Sequence, residues 1–340
     1  MKNCRSFLTH SIRCGLIFMF VMPWGQLWSK NVIKIATIGP RPPALDAGTD
    51  PQVIIDKMIE FWGEKFAQVL PDRPDLIVVP EACDRPRGIP RDILSQYYHV
   101  RKNQIRDYFA SIARENRCYI VYSAAREMQD NSLRNSSVLI DRDGVVAGIY
   151  DKYHPTIYEM ERGIVPGGEP QIIQCDFGRV ALIICFDLNF DEIRKKYIEA
   201  DPDLVVFSSM YHGGLMQAYW AYSCRAFFVG AISSKPSEIR NPMGDVIATT
   251  TDYFDFAVAD VNLDSRLVHL DYNWQRLRAM KEKYGRKVTI TDPGFLGAVL
   301  ITSEHETISI DDMIEEFQIE RLDDYFVRSL EYRKKEINME

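Results

Sequence analysis

Glu81, Lys152 and Cys185 are residue types that combine into chemistry: a carboxylate to carry a proton, an ammonium to hold developing negative charge, and a thiol to attack carbon. Each follows an apolar run that reads as the end of a buried strand or hairpin arm. The runs are Leu76-Ile-Val-Val79 before Pro80-Glu81, Val145-Val-Ala-Gly-Ile149 before Lys152, and Val180-Ala-Leu-Ile-Ile184 before Cys185. A carboxylate or an ammonium buried alone is costly, and setting the two together answers both costs. A cysteine beside such a pair is poised for activation. Taken singly, each has a plain structural explanation: a strand-end acid facing water, a hairpin lysine, a core cysteine. Their shared position at strand ends, where α/β folds leave a crevice, favours the chemical reading.

The elements that must position these residues follow from periodicity. Residues 32–39 read as a strand. Thr49-Asp50-Pro51 starts a helix whose Ile55, Met58, Ile59, Trp62, Phe66 and Val69 fall on one face. A continuous apolar run at 76–79 is the pattern of a strand covered on both faces. One helical stretch is expected over 90–116, then a strand at 118–122. A hairpin turns at Asp143-Gly144, and a second pairs 171–174 with 180–184 around Gly178. Further strands are expected at 204–207, 227–233 and 256–261, with helices over 191–200 and up to about Arg225. The alternation predicts an α/β layered fold. Three segments are expected: a signal-like stretch at 1–30, a layered main domain at 31–265, and an extension at 266–340 packing on the core or on a partner subunit.

Composition narrows the function classes. With 46% hydrophobic and 26% charged residues the chain can bury a large core, and a net charge of -7 argues against a nucleic-acid partner. The seven cysteines (Cys4, Cys14, Cys83, Cys118, Cys175, Cys185 and Cys224) form no C-x-x-C pair, so no structural metal site is expected. Cys118, Cys175 and Cys224 read as small core hydrophobes. At the N-terminus, Lys2, Arg5 and Arg13 precede a short apolar run too brief to span a bilayer. Two readings stand: an export signal, placing the protein in the periplasm or outside the cell, or a start at Met19 or Met22 and a cytoplasmic protein. The basic-then-apolar order favours export.

The blocks around the three residues resemble the nitrilase, or carbon–nitrogen hydrolase, superfamily. They are Asp75-Leu-Ile-Val-Val-Pro-Glu81, Asn135-Ser-Ser-Val-Leu-Ile-Asp-Arg-Asp-Gly144, Tyr150-Asp-Lys-Tyr-His154, Pro166-Gly167, Gly178-Arg-Val-Ala-Leu-Ile-Ile-Cys-Phe-Asp187 and Asn241-Pro-Met-Gly244. Each block is weak alone; their order over residues 32–261 is specific. The resemblance implies a four-layer α-β-β-α sandwich, Cys185 as nucleophile, Glu81 as proton carrier, Lys152 and the Phe186 backbone N–H as oxyanion donors, and no metal or organic cofactor. It also implies a second glutamate before Pro166-Gly167, for which Glu161 is preferred and Glu159 is the alternative, a substrate contact. Tyr211 and His212, after the strand at 204–207, are expected to line the pocket. Phe190-Asp191-Glu192 and Phe227-Phe228 depart from the family's usual residues. Cys185-Phe186-Asp187 resembles the amidase and carbamoylase form, so the expected substrate is a small linear amide or N-carbamoyl compound and the expected assembly a homodimer or larger homo-oligomer. The alternatives are a nitrilase and a non-catalytic binding or assembly protein on the same fold.

Overall fold

The computed structural model describes residues 31–130 and 132–337; the export-signal reading of residues 1–30 lies outside them. In chain order the first half holds β1 (Val32–Ile38), α1 (Pro51–Val69), β2 (Leu76–Val78), α2 (Arg91–Arg101), α3 (Gln104–Asn116), β3 (Tyr119–Glu127), β4 (Leu133–Ile140), β5 (Val146–Asp151) and the one-turn α4 (Ile157–Met160). There follow β6 (Ile173–Gln174), β7 (Arg179–Ile184), α5 (Asp191–Ala200), β8 (Leu204–Ser209), α6 (Leu215–Cys224), β9 (Phe227–Ile232), β10 (Glu238–Arg240), β11 (Val246–Thr249) and β12 (Phe256–Asn262).

Two six-stranded sheets form, in the orders β12-β1-β2-β3-β4-β5 and β11-β10-β9-β8-β7-β6. Strand alternation decides how they stack. Leu76 and Val78 of β2 join a core shared with Val180, Leu182, Val205 and Phe207 of the second sheet, while Ile77 and Val79 point the other way, into a core with Met58, Trp62, Phe66 and Phe109 of α1 and α3. On the far side of the second sheet, Ile193 and Tyr197 of α5 and Trp220 of α6 complete the packing. The layers are therefore α-β-β-α, as the resemblance implies.

Local chemistry explains the boundaries. Asp50 caps α1, its side chain accepting from the Gln52 N–H at 2.8 Å with Pro51 in the first turn. The single helix expected over 90–116 is instead two. Lys102 adopts a left-handed φ of 45° and breaks the run, and Arg101 turns inward to the buried Asp84 carboxylate. Cys83, Cys118, Cys175 and Cys224 are buried free thiols.

Beyond β12, the strands β13 (Ser265–His269), β14 (Val288–Thr291) and β15 (Ala298–Ser303) form a small antiparallel sheet with helices α7 (Trp274–Tyr284), α8 (Ile310–Phe317) and α9 (Leu322–Ile337). Its own core gathers Val268, Met280, Val299, Ile301 and Met313. A second cluster, with Leu267, Leu300 and Leu322 against Met243, fastens this unit to the sandwich. Among the described residues no helix is long and apolar enough to cross a membrane.

Candidate active site

Three strand ends converge between the sheets. Glu81 lies three residues past β2, Lys152 directly follows β5, and Cys185 directly follows β7, next to β8, which ends at Ser209. Cys185 has φ 48°, a left-handed conformation uncommon for a residue with a side chain, and lies in a short 3-10 turn. The turn is held by Asp187, which is fully buried. Its Oδ2 accepts from the Ile184 N–H at 3.0 Å and from the Tyr150 hydroxyl at 2.7 Å, and its Oδ1 accepts from the His154 N–H at 2.7 Å. Tyr150 and His154 bracket Lys152, so one carboxylate ties the cysteine's turn to the lysine's segment. The His154 ring stacks on Phe190 at 3.8 Å, which fits a structural role.

The charges are packed tightly. Lys152 is 1% exposed and Glu81 5%. The Lys152 Nζ donates to Glu81 Oε1 at 2.9 Å and to Glu159 Oε2 at 2.9 Å and Oε1 at 3.1 Å. Asn135 Nδ2 bridges the same two carboxylates, at 2.7 Å from Glu81 Oε1 and 2.8 Å from Glu159 Oε1. Turning the amide over would set its oxygen against both anions, so the donor orientation follows from electrostatics. Burial pulls the Lys152 ammonium down, but Glu81, Cys185 and Glu159 hold it above its ordinary value, charged. Burial also opposes ionisation of Glu159, yet Lys152 and the Thr156 N–H keep it below the usual range. The Cys185 thiol is pushed up to about 12 by burial and by the Glu81 carboxylate, against the opposing pull of Lys152 and the Ser209 hydroxyl. At neutral pH it is a thiol with a carboxylate beside it to take the proton.

Glu159, and not the preferred Glu161, stands against the lysine. The reason is a capping box: the Glu159 N–H donates to Thr156 Oγ1 at 3.1 Å while its carboxylate folds back to accept from the Thr156 N–H at 2.7 Å, aiming it at Lys152. Glu161 sits at the exposed end of that turn. Phe186 packs edge-on to Phe190 at 5.1 Å. Burial, with Cys185 nearby, pushes the Tyr211 hydroxyl up to about 12, and that hydroxyl accepts from Asn189 Nδ2 at 3.0 Å. His212 is not brought to the cluster: its ring accepts from the Gly214 N–H at 3.1 Å and faces Glu238 at 3.6 Å. Sequence reasoning missed Asn135 as a site residue, although it opens one of the quoted blocks. It is one of four consecutive polar residues, 134–137, in β4, so the strand's pattern did not single it out.

This arrangement can deprotonate a thiol, hold an oxyanion beside a fixed ammonium, and return a proton to a leaving group. Comparison with known proteins gives the family and the fold. The carbon–nitrogen hydrolase family model matches residues 34–230. A hydrolase from Schizosaccharomyces pombe is 21% identical over 225 residues, covering 58% of this chain and 69% of that protein. The omega-amidase NIT2 of Xenopus tropicalis is 20% identical over 233 residues, covering 61% and 81%. Among solved structures, a mutant of the amidase from Nesterenkonia sp. AN1, with the acetamide moiety of fluoroacetamide added covalently at its active-site cysteine, superposes with a TM-score of 0.59 at 18% identity, covering 76% of this chain and 97% of that one.

Proposed function

This chain belongs to the carbon–nitrogen hydrolase family, and on that premise we propose that it hydrolyses linear amides or N-carbamoyl compounds through a thioester on Cys185. The observation that carries the proposal is the buried Lys152 ammonium shared between Glu81 and Glu159, next to a protonated thiol. Glu81 takes the thiol proton as sulfur bonds to the carbonyl carbon. The oxyanion rests on Lys152 and the Phe186 N–H, one such donor being worth roughly 3 kcal/mol in the barrier. When the tetrahedral species collapses, the C–N bond breaks and Glu81 passes its proton to the departing nitrogen. Water then attacks the thioester as Glu81 removes its proton, and the released thiolate recovers that proton as the acid leaves.

Amides are preferred over nitriles on the Cys185-Phe186-Asp187 form of the nucleophile block. The omega-amidase and amidase relatives support the same choice. Homodimerisation is part of the proposal. The test is ammonia release from aliphatic amides, monoamides of dicarboxylic acids, N-carbamoyl amino acids and nitriles, with wild type and Cys185→Ala. Turnover of amides or carbamoyl compounds that vanishes in Cys185→Ala is expected. A preference for nitriles, or activity surviving without the thiol, overturns it.

A further inference from the structure

We infer that Ser209 is a further catalytic residue, its hydroxyl donating to the Cys185 sulfur only while that sulfur carries negative charge. This rests on the reading of Cys185 as nucleophile and adds a donor for sulfur to the two assigned to oxygen. The second sheet sets the pair together. Strands β7 and β8 run parallel with Ile184 opposite Ser208, so Cys185 and Ser209 come off the two strands side by side. Ser209 is fully buried, and its hydroxyl lies beside the thiol. Its main chain is held from the other side, where its carbonyl accepts from the Ser233 N–H at 3.0 Å.

Two bonds decide what the hydroxyl can do. Ser209 Oγ accepts from the Tyr211 N–H at 3.0 Å and donates to the Tyr211 carbonyl at 2.8 Å. The N–H pins the oxygen, while the hydrogen turns about the C–O bond toward the better acceptor. A neutral thiol is a weak acceptor, so at rest the carbonyl holds that hydrogen. A thiolate is a charged acceptor, and a bond to it outweighs one to a neutral carbonyl. Sulfur carries charge twice in a turnover. It does so as Glu81 takes the thiol proton during attack, and again when the S–C bond of the thioester breaks and its electron pair returns to sulfur. At both moments the hydroxyl turns to sulfur, and its own O–H bond stays intact. The neighbouring charges leave this task open. Glu81 repels a thiolate, while Lys152 already donates to Glu81 and Glu159 and, with the Phe186 N–H, serves the carbonyl oxygen. A donor that meets charged sulfur and ignores neutral sulfur acts on the transition states and not on the bound substrate, so it raises kcat and leaves KM alone.

The experiment uses Ser209→Ala and Ser209→Gly, both of which remove the hydroxyl. Alkylation of Cys185 by iodoacetamide at pH 9 should slow about threefold or more in each. Without its donor the thiol ionises about tenfold less, and the greater nucleophilicity of the more basic thiolate restores part of the rate. A hydroxyl that only ties the loop predicts the opposite sign, because a loosened loop exposes the thiol and quickens alkylation. With an amide that wild type hydrolyses, kcat should fall about tenfold or more at unchanged KM. Alkylation that is unchanged or quickened, an unchanged kcat, or a loss carried by KM overturns the inference. The alkylation arm needs no substrate. If wild type turns over no amide, that arm alone decides, so failure of the amidase reading stays distinct from failure at Ser209.

Discussion

At the scale of single residues, Glu81 and Cys185 oppose each other's charge, and that opposition separates reactivity from turnover. With its thiol pushed up to about 12, Cys185 in the free enzyme should be alkylated by iodoacetamide at a rate that keeps climbing above pH 9. A plateau below pH 8 would reveal a resting thiolate and refute the assignment of Glu81 as base. The sign of the linked stability follows: a thiol held above its unfolded value of 9.0 stabilises the fold below that pH, and the contribution is lost as pH rises from about 9 to 12. Glu81→Gln removes the like charge, so alkylation of Cys185 at pH 8 should quicken while turnover falls by about 10²–10⁴-fold, as for loss of a general base. Glu159→Gln leaves the Lys152 ammonium with one carboxylate fewer. It should lower kcat by about tenfold or more, whereas exposed Glu161→Gln should stay within about twofold in the same assay. The three converging residues were legible because a charged or nucleophilic group at the end of an apolar run is expensive to misplace. The choice between Glu159 and Glu161 was not, since it turns on a one-turn helix whose Thr156 cap reads from sequence as an ordinary loop threonine.

Elements carry the next level of control. The 3-10 turn bearing Cys185 is kept in its left-handed opening by the bonds that Asp187 accepts from Ile184, Tyr150 and His154. Asp187→Ala strands these donors in a dry interior, where each orphan costs about 1–3 kcal/mol. Chemical denaturation should show a loss of about 3 kcal/mol, together with a fall in kcat that Cys185 alkylation reports as altered accessibility. Wild-type stability in that variant would mean the turn holds itself. Three internal donors occupy Asp187, so it supports the turn and is not free to meet a substrate. The helix break at Lys102 was equally hidden, because Arg101 is a good helix former and only the distant Asp84 draws it inward. By contrast β2 was plain, since four consecutive apolar residues leave no face for water.

On the scale of the whole molecule, α5 and α6 pack side by side with Ile198, Leu215 and Tyr219 exposed, Leu215 by 78%. The homodimer proposed above would cover such a surface with its own copy. Light scattering at micromolar concentration should give twice the chain mass, and Leu215→Asp should halve it; a wild-type monomer would sink the proposal. The extension beyond β12 was legible only as mixed charged and apolar residues, because its small sheet pairs β13 with β15 across the 28 residues between His269 and Ala298. One arrangement has a temporal meaning. The base, the ammonium and Asn135 belong to one leaf and the nucleophile to the other, while β1, near the start of the first leaf, pairs with β12, far along the chain. Neither half of the nascent polypeptide is an enzyme in miniature. During synthesis the thiol emerges after its base, and the first leaf is finished only when residue 262 has arrived. Turnover is thereby withheld until the two leaves dock, and the same docking that completes the site also quiets the free thiol.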